Sequence, residues 1–476
     1  MKKSIAKNYF FNLLNQCLSI ILPLITTPYL ARVFGAEKIG IYSYTLSLTT
    51  YFVLLGNLGV SLYAQKEIAY VQDNAEKRTQ IFYEVFLMKL FSLTLSSILF
   101  YLILVNNNDY GVYFKIFILE LLANMIDITW FFQGLEEFKK TVIRNLVIKI
   151  IGLVLVFTII KDESDFILYF WIYVLSNFFG NLVLWRFIPK YTKKIRLKSI
   201  KPFRHLKPCL LLFIPQIAVS IYTILDKTMI GLLVADISEV GFYEQAQKIV
   251  KVGLVLITSF GGVMLPRISN LYAKKDSQEI SKYIYKSFQF EFLISLPMVF
   301  GLIAISNSLI PFFLGDKFLR SIDILKIISP LLFFVCLTNV IGQQYLLPVK
   351  REKQYTYSIV SGALINIILN YILIKQYGAK GAAFSSVIAE IFIFIIMFFF
   401  TKKDFEYKKI IKIAGKYLLY SLIMFCICLS IELIMKPSFL CLIIQIICGI
   451  LSYMTILLIR KDELIMSTIK RKKKEI

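Results

Sequence analysis

Long apolar runs dominate this sequence and limit its possible folds more than any other feature. About fourteen runs of roughly 18–25 residues follow one another, each long enough for a helix to cross a bilayer. They lie at about 9–33, 39–63, 81–105, 110–132, 143–160, 166–187, 205–234, 240–264, 284–306, 322–347, 355–375, 380–401, 410–431 and 438–460. Only 18% of the 476 residues are charged and 58% are hydrophobic, whereas a soluble domain has about 25% charged residues. The chain is therefore predicted to be an all-α polytopic membrane protein.

The distribution of basic residues predicts the orientation of these helices. The net charge of +24 arises from 54 Lys+Arg against 30 Asp+Glu. The N-terminus, the even-numbered loops and the C-terminal tail hold about 33 basic residues, and the odd-numbered loops about 5. Because basic loops stay in the cytoplasm, both termini are predicted to be cytoplasmic. The basic residues form no single stripe with stacking aromatics, so they indicate contact with anionic membrane lipids and not with nucleic acid.

The available residue types argue against several classes of site. His205 is the only histidine, and the seven cysteines include no C-x-x-C pair, so zinc sites and Ser-His-Asp triads are not expected. No loop is long enough to hold a soluble catalytic domain with an acid/base pair. We therefore expect a transporter and not an enzyme, with no catalytic residue, no metal and no cofactor.

A weak internal repeat appears in the first and seventh runs. Pro23 and Pro28 lie in the first and Pro215 in the seventh, and each run is followed by a short loop. The next helix then restarts similarly, at Glu37-Lys38-Ile39-Gly40-Ile41-Tyr42 and at Glu239-Val240-Gly241-Phe242-Tyr243. A generic loop-to-helix signal also produces so short a match. As a true repeat it predicts two six-helix halves and a C-terminal helix pair, with boundaries at 1–204, 205–409 and 410–476.

Charged residues inside the eighth run form the most informative constellation. Glu244, Lys248 and Lys251 are spaced i, i+4 and i+7, which places them on one helical face. Lys251 lies roughly 16 Å from the start of the run, at a depth where a charge costs about 2.5–3.5 kcal/mol. Two cations beside a carboxylate suit an anionic substrate such as a diphosphate. Structural ion pairs between helices, for example Asp226 with Lys248, are an alternative that the sequence leaves open.

Further polar residues inside the runs extend this candidate site. Arg32, Lys227 and Gln16 join Lys248 and Lys251 as candidate substrate-binding residues, although Arg32 near a run end also suits a structural role. Gln16 can hydrogen-bond sugar hydroxyls or bridge helices. The candidate ion-coupling residues are the carboxylates Asp226, Glu244 and Asp127, because an intramembrane carboxylate can bind a proton or a cation.

Several stretches resemble a known family. They are Ile21-Leu22-Pro23-Leu24-Ile25-Thr26-Thr27-Pro28-Tyr29-Leu30-Ala31-Arg32, Tyr63-Ala64-Gln65-Lys66-Glu67-Ile68-Ala69, Trp130-Phe131-Phe132-Gln133-Gly134-Leu135-Glu136, Leu225-Asp226-Lys227, Gly241-Phe242-Tyr243 and Tyr377-Gly378-Ala379-Lys380-Gly381-Ala382-Ala383. In order and spacing they are similar to bacterial polysaccharide repeat-unit flippases of the Wzx type. The resemblance extends from the first run to the twelfth.

This resemblance implies a fold shared with multidrug exporters and lipid II flippases. Two six-helix lobes would surround a central cavity that opens alternately to each side, and spans one, two, seven and eight would line it. If these spans line the cavity, the candidate site residues that they carry are favoured over the other intramembrane charges. These residues are Arg32, Asp226, Lys227, Glu244, Lys248 and Lys251. By analogy, the last two helices would form a groove for a lipid tail.

The resemblance also implies a substrate and a location. The substrate would be an undecaprenyl-diphosphate-linked oligosaccharide, moved across the cytoplasmic (inner) membrane of a bacterium for capsule, O-antigen or exopolysaccharide synthesis. A polymerase and a chain-length regulator of the same pathway would be partners. Two alternatives remain: a multidrug exporter of organic cations, which Lys248 and Lys251 would repel, and a membrane polysaccharide polymerase.

Overall fold

Helices form every regular element in the part of the chain that the computed structural model describes, residues 5–106, 109–193 and 200–466. The side chains of residues 5–21, 214–223 and 263 are outside this description. The predicted all-α fold is confirmed. Within the described residues, 11 helical segments are long and apolar enough to cross a membrane. The predicted total of about fourteen spans and the cytoplasmic termini stay predictions.

The chain folds into two compact units, Met1–Thr228 (unit 1) and Met229–Ile476 (unit 2). Unit 1 contains α1 to α7 and most of α8. These helices are α1 (Ile5–Asn57), α2 (Val60–Tyr70), α3 (Ala75–Phe100), α4 (Gly111–Met125), α5 (Thr129–Gly134), α6 (Phe138–Ile159), α7 (Phe166–Trp185) and α8 (Leu206–Leu233). Unit 2 contains α9 to α16.

The first two apolar runs lie on one long helix, α1, which bends at Gly35. This residue has φ 71° and ψ −179°, a conformation that costs a residue with a Cβ atom considerable strain. Leu58 and Gly59 then adopt φ 46° and 74° and separate α1 from α2. A Cβ atom on Gly59 would lie 3.0 Å from the carbonyl oxygen of Cys209. Glycine therefore permits both the turn and the close approach of α8.

The fourth run, predicted as one span, is divided between α4 and α5. α4 ends at Met125 and α5 begins at Thr129, so Asp127 lies in the break. The hydrophobic core next to this break joins α2, α3 and α5, with Phe82, Trp130 and Phe131 almost fully buried. Burial of each such aromatic side chain contributes about 2–3 kcal/mol, which holds the short helix α5 in place.

Unit 2 begins within α8 and continues through eight further helices. They are α9 (Ser238–Ala273), α10 (Ser277–Leu314), α11 (Ser321–Ile328), α12 (Leu331–Ile341), α13 (Glu352–Tyr377), α14 (Ala379–Thr401), α15 (Tyr407–Ile434) and α16 (Phe439–Ile459). The tenth run is divided between α11 and α12, with Pro330 at the break. A π-helical segment, Gly342–Leu346, follows α12 directly.

The C-terminal helix pair packs inside unit 2. Tyr453 of α16 donates a hydrogen bond to the carbonyl oxygen of Leu293 on α10 at 3.0 Å. Gln445 of α16 reaches the carbonyls of Cys428 on α15 at 3.1 Å and of Ala304 on α10 at 3.4 Å. These bonds join α15 and α16 to the long helix α10.

The two units share one kind of turn. Glu136 in unit 1 and Lys350 in unit 2 have φ values of 56° and 61°. The next residues, Glu137 and Arg351, each donate a backbone hydrogen bond of 2.8 Å to the carbonyl five positions earlier. A left-handed residue with such a bond is a common way for a helix to end. The same turn also follows α9 at Lys275 and α16 at Lys461, so the internal repeat stays a prediction.

Candidate functional site

The structure places Glu244, Lys248 and Lys251 on one side of α9, as the sequence predicts, and this side points away from the core of unit 2. Lys248 Nζ lies 3.5 Å from Glu244 Oε1, and the two side chains are 37% and 13% exposed. Lys251 is exposed. Tyr243, Ala246 and Val250 on the other side of the helix are fully buried. The three charged residues therefore form one accessible stripe, called the α9 polar face below.

The depth of this face indicates what it contacts. Lys251 lies 13 residues after the start of α9 at Ser238, about 20 Å along the helix axis. An exposed lysine at that depth would cost about 2.5–3.5 kcal/mol against lipid. A water-filled space removes this cost and leaves the ammonium groups accessible to a solute. The α9 polar face is therefore suited to binding an anion.

Uncharged polar side chains lie beside this face. Gln245 is 1% exposed, and among the described residues neither polar atom of its amide has a hydrogen-bond partner. Gln247 donates to the hydroxyl of Tyr243 at 3.5 Å, and that hydroxyl lies 3.4 Å from Ser386 Oγ on α14. Unsatisfied buried amides are costly, so Gln245 is positioned to bond with water or a ligand. In the sequence, Gln245 and Gln247 both lie inside the eighth run, where either can hydrogen-bond sugar hydroxyls or bridge helices, and nothing distinguishes one from the other.

The candidate residues of unit 1 lie on α1 and α8. Arg32 is exposed and Lys227 is half-buried, whereas Asp226 is 4% exposed. The neighbouring Thr228 holds this part of α8 against α1, with its Oγ1 2.9 Å from Ser47 Oγ and 3.4 Å from Tyr51 Oη. The side chain of Gln16 lies outside the described residues. The roles of these four residues in substrate binding or ion coupling stay predictions.

Asp127 takes part in a polar network where α4 ends and α5 begins. Its carboxylate accepts a hydrogen bond from the backbone N–H of Thr129 at 3.0 Å. Its carbonyl oxygen accepts one of 2.9 Å from the fully buried Lys89. Arg144 donates to the Thr129 hydroxyl at 3.0 Å. Asp127 thus bonds the first N–H group of α5, and its predicted role in ion coupling stays untested.

A second polar cluster in unit 1 surrounds Glu84. Its carboxylate lies 2.5 Å from Arg204 Nη2 and 2.9 Å from His205 Nε2, and it accepts a bond of 2.9 Å from the N–H of Lys201. The other ring nitrogen of His205 is 2.7 Å from the Tyr63 hydroxyl. In the sequence, Glu84 lies inside the third apolar run and His205 is the only histidine. The sequence contained no signal that would pair them.

No set of three or more His, Cys, Asp or Glu side chains in the described segments could hold a metal ion.

Two further polar clusters contain Glu120 and Glu291. Glu120 on α4 accepts from the amides of Asn124 at 3.2 Å and Asn177 at 3.0 Å. Glu291 on α10 is bonded to Gln344. Both carboxylates lie inside apolar runs of the sequence, which contains no signal for their amide partners.

Comparisons with known proteins agree with this architecture. The profile of a family described as "Polysaccharide biosynthesis protein" matches residues 5–272, and the MatE profile matches residues 212–372. A protein of Escherichia coli strain K12 named "Putative O-antigen transporter" is 24% identical over 408 residues, which cover 85% of this chain and 98% of that protein.

Solved structures show the same fold. Lipid II flippase MurJ in an inward closed conformation has a TM-score of 0.72 and 20% sequence identity, covering 96% of this chain and 100% of that one. An inward-facing MATE family multidrug resistance transporter has a TM-score of 0.65 and 11% identity, covering 84% of this chain and 96% of that one. The matched profile of residues 5–272 spans more than half of the sequence. The chain therefore belongs to the polysaccharide biosynthesis protein family.

Proposed function

We propose that this chain is a flippase for lipid-linked oligosaccharides. It moves undecaprenyl-diphosphate-linked repeat units across the cytoplasmic membrane of a bacterium by alternating access. The units then serve capsule, O-antigen or exopolysaccharide synthesis, in which a polymerase and a chain-length regulator act on the product. The proposal is supported by the family match over residues 5–272 and by the relative named as an O-antigen transporter.

The α9 polar face is the observation that carries the proposal. Its two lysines lie deep in an apolar helix, are accessible, and share the face with a single carboxylate. A diphosphate is the charged part of a lipid-linked sugar, and ammonium groups bind phosphate oxygens strongly in a weakly hydrated site. Lys248 and Lys251 are proposed to bind this diphosphate. Arg32, Lys227 and Gln16 of unit 1 are proposed as further substrate-binding residues.

Coupling to an ion gradient is assigned to carboxylates near the substrate helices. Asp226 is buried on α8, and Glu244 pairs with Lys248 on α9. Either one can bind a proton or a cation. Asp127 is the third proposed coupling residue because it lies in a helix break, a feature that transporters use for ion sites.

A substitution of Lys251 tests the proposal. Lys251→Ala is expected to lower polymer production in a strain that lacks its own flippase by about 10–100-fold, since a hydrogen bond to a charged group contributes about 1.5–3 kcal/mol. Lys251→Arg retains the charge and is expected to retain most of the function. The control is Lys274→Ala, which removes an exposed lysine just beyond the end of the same helix.

Three outcomes would contradict the proposal. Full polymer production by Lys251→Ala at wild-type membrane abundance would remove Lys251 from the mechanism. Resistance to organic cations on overexpression, without any effect on polymer, would favour a multidrug exporter. Formation of polymer chains by the purified protein from lipid-linked sugar would favour a polymerase.

A further inference from the structure

A buried polar cluster in unit 2 has no role in the proposed function described so far. Glu291 of α10 is 1% exposed, and one of its carboxylate oxygens accepts a hydrogen bond from the side-chain amide of Gln344 in the π-helical segment. The same amide donates to Asn339 Oδ1 of α12 at 2.9 Å. The thiol of Cys336 on α12 faces the carboxylate. Three chain segments thus surround a single acidic group.

Several oxygens of this cluster have no partner. In the described part of the chain, Glu291 Oε2, Gln344 Oε1 and the hydroxyl of Ser287 are buried without a hydrogen bond, and the Ser295 hydroxyl lies next to the Cys336 thiol. Ser287, Glu291 and Ser295 are spaced i, i+4 and i+8 and so share one face of α10. Native proteins leave few buried polar atoms unpaired, and each such atom points to a bound species.

A proton fits this site better than a metal cation. An ionised carboxylate buried away from water costs several kcal/mol unless it is compensated. A hard cation requires about six oxygen ligands, but Ser287 and Ser295 are eight residues apart, about 12 Å along the helix axis. They cannot both bind one ion. A proton needs only Glu291 Oε2, and Gln344 Oε1 is an acceptor on the neighbouring side chain.

The ionisable groups of the helix pair α15 and α16 contact the opposite side of α10. Tyr417 of α15 contacts Gln289, and Tyr453 of α16 donates to the carbonyl oxygen of Leu293 at 3.0 Å. Gln289 and Leu293 lie two positions before and after Glu291, about 160° around the helix in either direction. These tyrosines therefore do not face the Glu291 carboxylate.

Charged groups on the other neighbouring helices contact α10 far from Glu291 along the helix axis. Arg267 of α9 donates to the hydroxyl of Tyr283 at 3.0 Å, eight positions and about 12 Å before Glu291. Lys326 of α11 donates to Asn307 at 2.9 Å, sixteen positions and about 24 Å beyond it. Lys286 on α10 itself is about 140° around the helix from Glu291. The thiol of Cys336 is thus the titratable group that faces this carboxylate from a described neighbouring helix.

The cluster also contacts the helix that carries the α9 polar face. A Cβ atom on Gly261 of α9 would lie 2.9 Å from Asn339 Oδ1, so α9 packs directly against the hydrogen-bonded set. Gly261 is ten residues from Lys251, about 15 Å along α9. Adjacent glycines such as Gly261 and Gly262, followed by Pro266, are a common place for a helix to bend.

We infer that Glu291 is a proton-binding residue of this flippase, and that its protonation changes the hydrogen bonds of Gln344 and Asn339 and thereby the bend of α9. The inference rests on the proposed function for its biological meaning. Proton uptake would convert the carboxylate to a carboxylic acid whose O–H donates to a neighbouring oxygen. The charge at Glu291 would then alternate during each transport cycle.

The test compares Glu291→Gln with wild type in liposomes that contain the full chain and a pH-sensitive dye. Wild type is expected to move protons when lipid-linked oligosaccharide is added, and an imposed pH gradient is expected to accelerate its transport. Glu291→Gln retains size and polarity but cannot be ionised, so it is expected to lose proton movement by at least about tenfold while it still folds and binds the substrate. Glu432→Gln, which removes a carboxylate bonded to Asn307 near the C-terminal end of α10, is the control and should behave as wild type.

An infrared measurement distinguishes a failure of this inference from a failure of the proposed function. The band of a protonated carboxyl group is expected in wild type, to change with pH, and to be absent from Glu291→Gln. Proton movement by Glu291→Gln within twofold of wild type, or wild-type transport driven by a sodium gradient alone, would overturn the inference. If wild type moves no lipid-linked oligosaccharide but the infrared band still titrates, the proposed function fails and the proton site stands.

Discussion

Replacing Gly261 tests the contact between α9 and the Glu291 cluster. The Cβ atom of Gly261→Ala would lie 2.9 Å from Asn339 Oδ1, where ordinary contacts begin at 3.4 Å. Asn339 is 4% exposed and its Oδ1 already accepts a hydrogen bond from Gln344, so it cannot move without losing that bond. Overpacking of this kind costs about 1–3 kcal/mol.

The adjacent glycine provides a matched control. A Cβ atom on Gly262 would meet nothing within 4 Å. Both substitutions gain about 1 kcal/mol of helix propensity, so Gly262→Ala is expected to be more stable than wild type by that amount. The difference between the two variants is then the overpacking cost alone, about 1–3 kcal/mol. At roughly 2–4 °C per kcal/mol, Gly261→Ala should unfold about 2–12 °C below Gly262→Ala.

A thiol-reactive dye can follow this unfolding. Cys336, Cys428 and Cys441 are buried in unit 2 and react only when it opens. Transport by Gly261→Ala is also expected to fall below that of Gly262→Ala, because only the former displaces Asn339. Equal unfolding temperatures for the two variants, or greater stability of Gly261→Ala, would refute the close contact between α9 and α12.

Two further predictions concern stability. Glu84→Gln removes the carboxylate that Arg204 and His205 contact and is expected to destabilise unit 1 by about 1.5–3 kcal/mol, measured by the fluorescence of Trp130 and Trp185. The control Glu76→Gln removes an exposed pair with Lys193 that contributes at most about 1 kcal/mol, and an equal effect of both substitutions would contradict the assignment. For Asp462, burial opposes ionisation, but hydrogen bonds from Lys416 and Tyr417 outweigh it and lower the pKa below its ordinary value of 3.8. Because the folded-state pKa is the lower one, this stabilisation is complete above about pH 4 and is lost as the pH falls through the folded-state pKa. Thermal unfolding across the acidic range should show this loss in wild type and a weaker pH dependence in Asp462→Asn.

The sequence predicted the long helices well because the membrane sets their length. The run at about 205–234 corresponds to α8, Leu206–Leu233, and that at about 380–401 to α14, Ala379–Thr401. It did not predict where helices break. The loop expected after the first run is a bend at Gly35 within one helix, whereas the run containing Asp127 is divided in two. Hydropathy reports the length of an apolar segment and is insensitive to single residues with unusual φ.

The candidate site was predictable where its residues share one helix. Helical periodicity alone aligned Glu244, Lys248 and Lys251 on the α9 polar face. Pairings between distant segments were not predictable, since His205 lies 121 residues from its partner Glu84. Gln344 was missed for a second reason. An uncharged amide is not conspicuous in a sequence, although the side chain of Gln344 donates a hydrogen bond to the Glu291 carboxylate.

Two buried carboxylates of the chain are held in different ways, and the difference bears on which of them can take part in transport. In unit 1, Glu84 is paired with Arg204 and His205, and losing hydrogen bonds to a charged group costs about 1.5–3 kcal/mol. Protonation of the Glu84 carboxylate in every transport cycle would therefore require a large free energy. In unit 2, Glu291 is held by an amide and a thiol, and among the described residues one of its buried oxygens has no hydrogen-bond partner. A proton can therefore bind and leave there at lower cost than at Glu84. The carboxylate paired with Arg204 and His205 thus stabilises the fold, whereas Glu291 is available to bind a proton in addition to the coupling residues proposed above.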